Sequence, residues 1–375
     1  MKKKKLVRTS TVASTLTVFC FEQIKRLSSK YDVHIITSPD SILEKFKGID
    51  GVTVHTVEMQ RHISIFKDIV SLFKLASLLN KIKPDIVHSI SPKAGLLSMI
   101  ASKMIGVKYR IHTFTGLVWP TSAGVKKKIL VFTDKLLCKC ATHLIPESFS
   151  VKQAMQGGNI TNKELTILGN GSLRGINMDY YNINTLFKKY KNANLKSFVY
   201  VYIGRIVGDK GINEMVEAFD NVTKRCSDVT LLLVGAREDN LDPLKEKTNS
   251  IINANPDIIE IGQVQDVRPY IAVSNVLLLP SYREGLPNSV LESGAMGVPS
   301  IVSDIPGCSE LVTNNVTGII VKVKSISELE KAMIFAHNNP EKMKELGANM
   351  RKNVAEKYNS DYVYSDLETF YDELT

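Results

Sequence analysis

Short apolar runs alternate with longer helical stretches along almost the whole chain, and this alternation constrains the fold more than any other feature. Before residue 169 the strand-like runs are KLVRTS, DVHIITS, VTVHTV, DIVHSI, YRIHTF and THLIPES. After residue 196 they are SFVYVYIGR, VTLLLVG, DIIEIG, NVLLLP, PSIVS and TGIIVKV. Strands that alternate with helices predict mostly parallel sheets covered by helices on both faces.

A polar, irregular stretch at residues 169–197 interrupts the alternation, and we interpret it as the junction between two domains. The sequence therefore predicts two doubly wound, Rossmann-like α/β domains, at residues 1–175 and 176–358, which face each other across a cleft. Ligands of such domains bind at the carboxyl ends of the strands, so we expect them in that cleft. Residues 359–375 are expected to form a C-terminal helix that returns to the first domain.

The most informative motif is SYREGLPNSVLESGAMGVP, at residues 281–299. Its two glutamates, Glu284 and Glu292, flank a Gly-Leu-Pro-Asn turn that is suited to opening a helix. A helix N-terminus favours phosphate, and a carboxylate farther along the helix can accept hydrogen bonds from sugar hydroxyls. Phosphate and sugar hydroxyls together indicate a sugar nucleotide. The alternative is a surface helix with two solvated acids.

A second motif, YIGRIVGDKG at residues 202–211, places a basic loop after the first strand of the second domain. Gly204 ends the strand, Arg205 and Lys210 follow on the loop, and Gly211 begins a helix. Arginine offers a bidentate fork and lysine a point charge, and this combination suits a diphosphate. The alternative is a solvated basic loop without a ligand.

Charge is divided unevenly between the two halves of the chain. Residues 1–175 hold 27 Lys and Arg against 11 Asp and Glu, a net charge of +16, whereas residues 176–375 have a net charge of −6. The basic half indicates an anionic partner, and GVKKKILVFTDKLLCKCATHLI at residues 124–145 has the pattern of a basic amphipathic helix. Such a helix fits either an anionic membrane surface or packing on the sheet with a lysine-rich solvent face. Nucleic acid explains the charge less well, because no nucleic-acid module is visible and aromatic residues do not interleave with the basic runs.

The five cysteines have neither the spacing of a disulfide framework nor that of a metal site. This favours reduced thiols and a cytoplasmic location. No apolar run is long enough to predict a membrane-spanning helix.

In their order and separation, Gly204-Arg205, Lys210-Gly211 and the Glu284/Glu292 pair resemble the retaining glycosyltransferases of family 4, whose two Rossmann-like domains form the GT-B fold. The resemblance covers essentially the whole chain. The segments YRIHTFTGLVWP and LTILGNGSLRGINMDYY are similar to the branch that builds bacterial capsule and other surface polysaccharides. The resemblance implies transfer of a sugar from a nucleotide-sugar, expected to be UDP-linked, to a polyprenyl-diphosphate-linked saccharide. The enzyme would then act as a peripheral protein on the inner face of the cytoplasmic membrane.

The resemblance also implies roles for individual residues. Arg205 and Lys210 match the basic pair on the donor diphosphate, and with Glu284, which is placed by the donor sugar, they are the catalytic candidates. Glu292 matches the glutamate that holds the ribose hydroxyls, and the loop at residues 262–267 falls where the family places the base. The donor-binding candidates are Gly204, Gly285, Leu286, Pro287, Asn288, Glu292 and Val264.

The mechanism usually proposed for this family is front-face attack, in which the leaving and entering groups meet on one side of an oxocarbenium-like sugar. The departing phosphate then takes the proton, so no dedicated protein base is needed, and fixed positive charge stabilises the leaving diphosphate. The Asp-x-Asp pair on which the metal-dependent glycosyltransferase fold relies does not occur in the sequence. We therefore expect no essential metal, and no cofactor, because the nucleotide-sugar is itself a substrate.

On the acceptor side the sequence departs from the family pattern in two places. Many members have glycines in the loop after the first strand, whereas residues 10–15 of this chain contain none, and Thr11 and Ser14 are the candidates there. Many members also have a histidine after the fourth strand of the first domain, where this chain has Thr115. His112 lies three residues earlier, and a strand-end histidine satisfied by the backbone is an equally good interpretation of it.

Two other functions stay open at this point. A sugar-nucleotide 2-epimerase on the same architecture would need acids and histidines in the cleft for proton abstraction, and the paired glutamates speak against it. A binding protein that keeps the fold without catalysis is disfavoured by the intact basic pair and the intact glutamate pair.

Overall fold

Two units make up the chain, Met1–Gly175 together with Asp361–Thr375, and Ile176–Ser360. The structure, a computed structural model, describes residues 3–60, 64–182, 195–240 and 242–374. Residues 183–194 of the junction predicted at 169–197 therefore lie outside the described residues.

The first unit is built on a parallel sheet. Its strands are β1 Lys5–Thr9, β2 Asp32–Thr37, β3 Val52–Thr56, β4 Ile86–Ile90, β5 Tyr109–Phe114 and β6 His143–Pro146. Within the described residues these six strands lie in the order β3-β2-β1-β4-β5-β6. The central strand β1 pairs Leu6 with Val33 on one side and with Ile86 on the other. Every strand falls on one of the predicted strand-like runs.

Helices cover both faces of this sheet, because successive residues of each strand point to opposite faces. The helices that precede the second unit are α1 Phe21–Leu27, α2 Ile65–Ile82, α3 Pro92–Met104, α4 Gly124–Cys140 and α5 Phe149–Gly157. Val7 and Val87 belong to a core shared with α2, α3 and α4. Leu6 and Ile86 face a second core on the other side, to which α1 contributes Ile24.

The second unit repeats the architecture. Its strands are β7 Phe198–Ile203, β8 Val229–Val234, β9 Ile258–Gly262, β10 Val276–Leu279, β11 Ser300–Ser303 and β12 Gly318–Val321. Among the described residues they form a six-stranded parallel sheet in the order β12-β11-β10-β7-β8-β9. The predicted doubly wound α/β architecture is thereby confirmed.

The remaining helices cover the second sheet and then return to the first unit. Those of the second unit are α6 Ile212–Thr223, α7 Glu246–Ala254, α8 Arg268–Ala272, α9 Asn288–Ala295, α10 Cys308–Leu311, α11 Ile326–Asn338 and α12 Pro340–Lys357. The last helix, α13 Ser360–Leu374, belongs to the first unit from Asp361 onward, and its Leu367 and Tyr371 enter the core beside α1.

Helix starts follow from local sequence. Ser148 and Ser325 accept backbone N–H hydrogen bonds at the starts of α5 and α11, and α12 begins with Pro340, whose missing N–H costs nothing there. Over the described parts of the chain, no helix is both long and apolar enough to cross a membrane. All five cysteines lie in described segments, where each is buried and none forms a disulfide.

Candidate active site

The order of the second sheet brings the two sequence motifs together. The chain leaves β7 toward β8 on one side and leaves β10 toward β11 on the other, and β7 and β10 are neighbours. The carboxyl ends of this pair therefore form the topological switch point, where doubly wound sheets bind ligands. The loop at residues 204–211 follows β7 and the loop at residues 280–287 follows β10, so both motifs converge on this point.

An ion pair joins the two loops. The Lys210 ammonium lies 2.6 Å from Oε1 of Glu284, and their side chains are only 17% and 13% exposed. The Ser281 hydroxyl donates to the same oxygen at 2.7 Å. Lys210 and Glu284, predicted from motifs some 70 residues apart, are thus one cluster, and Ser281 is a third member that the sequence analysis did not single out.

Further contacts fix the loops against each other. The Tyr282 backbone N–H donates to the Asp209 carbonyl at 2.9 Å, and the Arg283 guanidinium lies 2.6 Å from the Asp209 carboxylate. Gly211 has φ +72°, and a Cβ on it would lie 2.1 Å from the Pro280 carbonyl oxygen, so only glycine fits there. These contacts join the two loops into one platform that carries the ion pair.

The Tyr282 hydroxyl extends this platform by donating to the Glu214 carboxylate at 2.7 Å. Burial and this hydrogen bond raise the pKa of Tyr282, which keeps the phenol protonated as a donor. Glu214 lies in the first turn of α6, so the hydrogen bond ties the loop after β10 to the helix after β7.

A third loop, after β11, packs against the backbone that carries Glu284. Gly307 has φ +87°, and a Cβ on it would lie 2.3 Å from the Gly285 carbonyl oxygen and 2.9 Å from that of Glu284. The backbone that carries Glu284 therefore rests directly on Gly307. Nothing in the motif at residues 281–299 indicates this contact, because Gly307 lies beyond the next strand.

Arg205 points to a different carboxylate from Lys210. Its guanidinium lies 2.8 Å from Glu238, on the loop after β8, and its side chain is 45% exposed. Gly204 follows the last residue of β7, and its N–H donates to the Val234 carbonyl at 3.0 Å. The predicted basic pair is therefore present on the loop, but each cation has its own acidic partner in this structure.

The second glutamate is buried in α9. The helix begins at Asn288, so Pro287 is its N-cap residue and not, as expected, a residue of its first turn. Leu286 and Pro287 are buried. The Tyr181 hydroxyl donates to Oε1 of Glu292 at 2.8 Å. Tyr181 was not predicted, since it lies 111 positions before its partner and carries no motif.

Val264 lies in the loop after β9, half-buried against the core of the second unit. Nearby in sequence, Arg268 stacks over the Tyr180 ring at 3.4 Å and donates to the Tyr180 carbonyl at 3.0 Å. Among the described residues, no group of three or more His, Cys, Asp or Glu side chains is placed to hold a metal ion. Independence from metal stays a prediction.

In the first unit, three acceptor-side candidates follow the carboxyl ends of β1 and β5, and the fourth, His112, lies within β5. Thr11 is buried beside the switch point of β1 and β4, where its hydroxyl accepts from the Ala94 N–H at 3.1 Å and shares a hydrogen bond with Ser91 at 3.0 Å. Ser91 has φ +77°, an uncommon conformation that such contacts maintain. Ser14 precedes a π-helical turn at Thr15–Phe19 without a side-chain capping hydrogen bond, and both Ser14 and Thr115 are half-buried.

His112 has a structural environment instead of the ligand-facing one considered above. It is buried in β5, shares a hydrogen bond with the Ser89 hydroxyl at 2.8 Å, and packs under Gly95, where a Cβ would lie 2.3 Å from its ring. Burial lowers the pKa of His112 to about 3, so the ring is neutral. The strand is covered on both faces, and a histidine on either face is therefore enclosed.

Comparison with known proteins places this chain in a class. Residues 10–148 match the family model for glycosyl transferase 4-like domains, and residues 184–353 match that for glycosyl transferases group 1. The chain belongs to this glycosyltransferase family and is a glycosyltransferase. These matches favour a transferase over the epimerase and binding-protein alternatives.

Individual relatives make the assignment more specific. The chain is 34% identical to the capsular polysaccharide biosynthesis glycosyltransferase CapM of Staphylococcus aureus, over 99% of this chain and 97% of that protein. It is 26% identical to the UDP-Gal:alpha-D-GlcNAc-diphosphoundecaprenol alpha-1,3-galactosyltransferase of Escherichia coli, over 82% and 80% of the two chains. In fold it is similar to Anabaena HepE in complex with UDP and glucose, with a TM-score of 0.82, 15% identity and coverage of 99% and 100%. The GT-B fold predicted from the sequence is thereby confirmed.

Proposed function

We propose that this glycosyltransferase moves a sugar from a UDP-sugar to a saccharide carried on polyprenyl diphosphate, during synthesis of capsule or another surface polysaccharide. The observation that carries the proposal is the Lys210–Glu284 pair, held at the switch point of the second sheet beside the N-terminus of α9. The names of the relatives support the substrates, since one is a capsular enzyme and another uses UDP-Gal and a diphosphoundecaprenol acceptor.

In this proposal the donor diphosphate binds Lys210 and Arg205. Each cation now has a carboxylate partner, so the diphosphate competes with Glu284 for Lys210 and with Glu238 for Arg205. Loss of its cation leaves the Glu284 carboxylate to accept hydrogen bonds from the donor sugar, while Ser281 still orients it. Glu292 accepts hydrogen bonds from the ribose hydroxyls, for which it exchanges its contact with Tyr181.

The chemistry we propose is front-face attack with retention and without metal. Charge grows on the leaving diphosphate as the glycosidic bond breaks, and in this proposal the Lys210 ammonium and the N–H groups at the start of α9 stabilise it. The leaving phosphate oxygen accepts the proton of the acceptor hydroxyl. His112, the histidine considered on the acceptor side, is neutral and buried, which is consistent with a reaction that needs no imidazole base.

We also propose that the first unit rests on the anionic inner face of the cytoplasmic membrane, where a lipid-linked acceptor resides. The net charge of +16 over residues 1–175 supports this partner, since each Lys or Arg near an anionic leaflet contributes about 1 kcal/mol of attraction.

A transfer assay tests the proposal. The purified chain is incubated with labelled UDP- and GDP-sugars and short polyprenyl-diphosphate saccharides, with and without a chelator, and the anomeric configuration of the product is determined by NMR. We expect label to move from a UDP-sugar, with retention and in the presence of chelator. Transfer only from GDP-sugars, an inverted product, or loss of activity with chelator would each contradict the corresponding part.

A further inference from the structure

A stripe of large apolar side chains lies exposed on the first half of α2. The stripe follows the spacing of one helical face, since its members fall at positions i, i+1, i+4, i+5 and i+8. They are Ile65, Phe66, Ile69, Val70 and Phe73. The core of the unit does not use these side chains, because α2 buries Leu75, Leu79 and Ile82 instead. A monomeric protein rarely leaves such a contiguous apolar patch without a partner.

A second stripe lies on the first half of α4. Val125, Ile129 and Phe132 recur at i, i+4 and i+7, and all are exposed. Together with the five residues on α2 they range from 42% to 86% exposed, so these are not edge positions of the core. We call these eight side chains the docking surface, which consists of two patches on helices that each pack against α3.

Exposed lysines lie on the same two helices as the docking surface. Those among residues 65–74 and 124–135 are Lys67, Lys74, Lys126, Lys127, Lys128 and Lys135. The one acid in the first turn of α2, Asp68, is held by the Lys93 ammonium at 2.8 and 2.9 Å and does not oppose them. The surface therefore combines exposed apolar side chains with a net positive charge.

The topology places both stripes at one edge of the sheet. Because β3 and β5 are parallel strands, the helices that follow them, α2 and α4, begin at the carboxyl edge of the sheet and run back toward its amino edge. Both helices pack on the same face of the sheet, with α3 in the same core. The docking surface thus lies at the edge where Thr11 and Thr115 follow their strands.

We propose that the docking surface inserts into an anionic lipid bilayer. The apolar side chains enter the boundary between headgroups and acyl chains, and the lysines contact anionic headgroups. This deepens the proposed function, on which it rests for a lipid-borne acceptor, by naming the element that contacts the membrane. Insertion there brings the carboxyl edge of the first sheet to the level at which a lipid diphosphate leaves the bilayer.

A second copy of the chain fits this surface less well. Two docking surfaces brought face to face would bury both sets of lysines against each other, and like charges in an interface are unfavourable. An anionic bilayer neutralises the same lysines, so charge complementarity favours the membrane.

Vesicle binding tests the inference. The full chain is sedimented with phosphatidylcholine vesicles containing about one third phosphatidylglycerol and no glycolipid, at low salt and at about 0.5 M salt, where the screening length falls to about 4 Å. The double variant Phe66→Ser/Phe73→Ser removes the two largest side chains of the α2 stripe. The matched control is Phe335→Ser, an exposed phenylalanine on α11 of the second unit.

We expect wild type and the control to keep a salt-resistant bound fraction, because apolar insertion is not screened. The double variant should bind about tenfold more weakly at low salt and lose the salt-resistant fraction, with an unchanged thermal midpoint. Equal binding of the double variant and the control would overturn the inference. So would a concentration-dependent dimer that Phe66→Ser/Phe73→Ser abolishes, since it would assign the surface to a second copy.

Depth of insertion gives an independent readout. Phe66→Trp and Phe335→Trp each add one tryptophan to the single native Trp119, whose signal in wild type is the baseline. With vesicles of brominated lipid, we expect strong quenching of the tryptophan at position 66 and none beyond the baseline at position 335. Equal quenching at the two positions would exclude insertion through α2.

Transfer to a water-soluble, short-chain acceptor separates this inference from the proposed function. The double variant should retain wild-type turnover on that acceptor without vesicles. If turnover is found but vesicle binding ignores the double substitution, the docking surface is wrong and the proposed function stands. If vesicle binding behaves as expected but no sugar is transferred from any donor, the proposed function is wrong and the docking surface stands.

Discussion

Replacement of Lys210 by methionine is the most direct perturbation of the proposed donor site. Lys210→Met keeps most of the length of the side chain and removes the ammonium that lies 2.6 Å from Glu284. The Ser281 hydroxyl still donates to the glutamate at 2.7 Å and offsets part of the loss, so the free energy of unfolding should fall by about 1–3 kcal/mol. If Lys210 stabilises the leaving diphosphate, kcat should fall by about 100- to 1000-fold, which corresponds to roughly 3–4 kcal/mol of transition-state free energy.

The same unit offers a matched control at the other edge of its sheet. Lys196 lies 2.6 Å from the Asp257 carboxylate just before β7 begins, at the amino ends of the strands. Lys196→Met removes an ion pair of the same length away from the switch point, with side chains 35% and 20% exposed, and should lower the free energy of unfolding by about 1 kcal/mol without lowering kcat. Both variants are measured by urea unfolding and by transfer kinetics with saturating donor. The reasoning is refuted if Lys210→Met loses no more turnover than Lys196→Met at equal stability.

Three other substitutions examine separate parts of the site and of the first unit. Gly307→Ala should lower turnover because its Cβ would meet the Gly285 carbonyl oxygen at 2.3 Å. The control Gly297→Ala has a similar φ of +76° but open space around its Cβ, so it should lower stability alone. Equal loss of turnover in the two variants would contradict the role of Gly307. Glu292→Ala should weaken UDP binding about tenfold in calorimetry, because charged hydrogen bonds to the ribose are lost. Tyr181→Phe keeps the carboxylate and should leave the affinity for UDP unchanged. Unchanged affinity in Glu292→Ala would refute the ribose contact. Burial raises the pKa of Asp134 from 3.8 to about 7, so its ionisation opposes folding increasingly as the pH rises through that interval. Asp134→Asn should therefore stabilise the protein at about pH 8 and leave its stability unchanged at about pH 4. An equal change in the free energy of urea unfolding at both pH values would contradict the raised pKa.

The fold was predictable because its signal is local and repeated. Each strand of the two sheets is a short apolar run, since a parallel strand is covered on both faces, and helical stretches separate the runs. The motif residues Lys210 and Glu284 were predictable as neighbours of strand ends for the same reason. The contact between Lys210 and Glu284 was not predictable, because it depends on β10 lying next to β7. The hydrophobic periodicity of a strand does not indicate which strand lies beside it in the sheet.

Contacts between distant segments account for what the sequence did not indicate. Gly307, on the loop after β11, lies against the backbone of the Glu284 loop, and Tyr181, which precedes β7 in the chain, donates to Glu292. For His112, the position near a strand end suggested a ligand contact that the sequence could not test. In the structure, packing against Gly95 encloses its ring. In α2 the periodicity predicts a helix but leaves open which of its apolar positions the sheet covers.

The central claim is that the loops after β7 and β10 hold the diphosphate of a nucleotide-sugar. A crystal structure of the full chain with a bound UDP-sugar measures this directly. We expect a diphosphate oxygen within about 3 Å of the Lys210 ammonium, with the phosphate facing the start of α9 and the Lys210–Glu284 contact opened. A nucleotide bound away from these loops, with Lys210 still paired to Glu284, would contradict the claim.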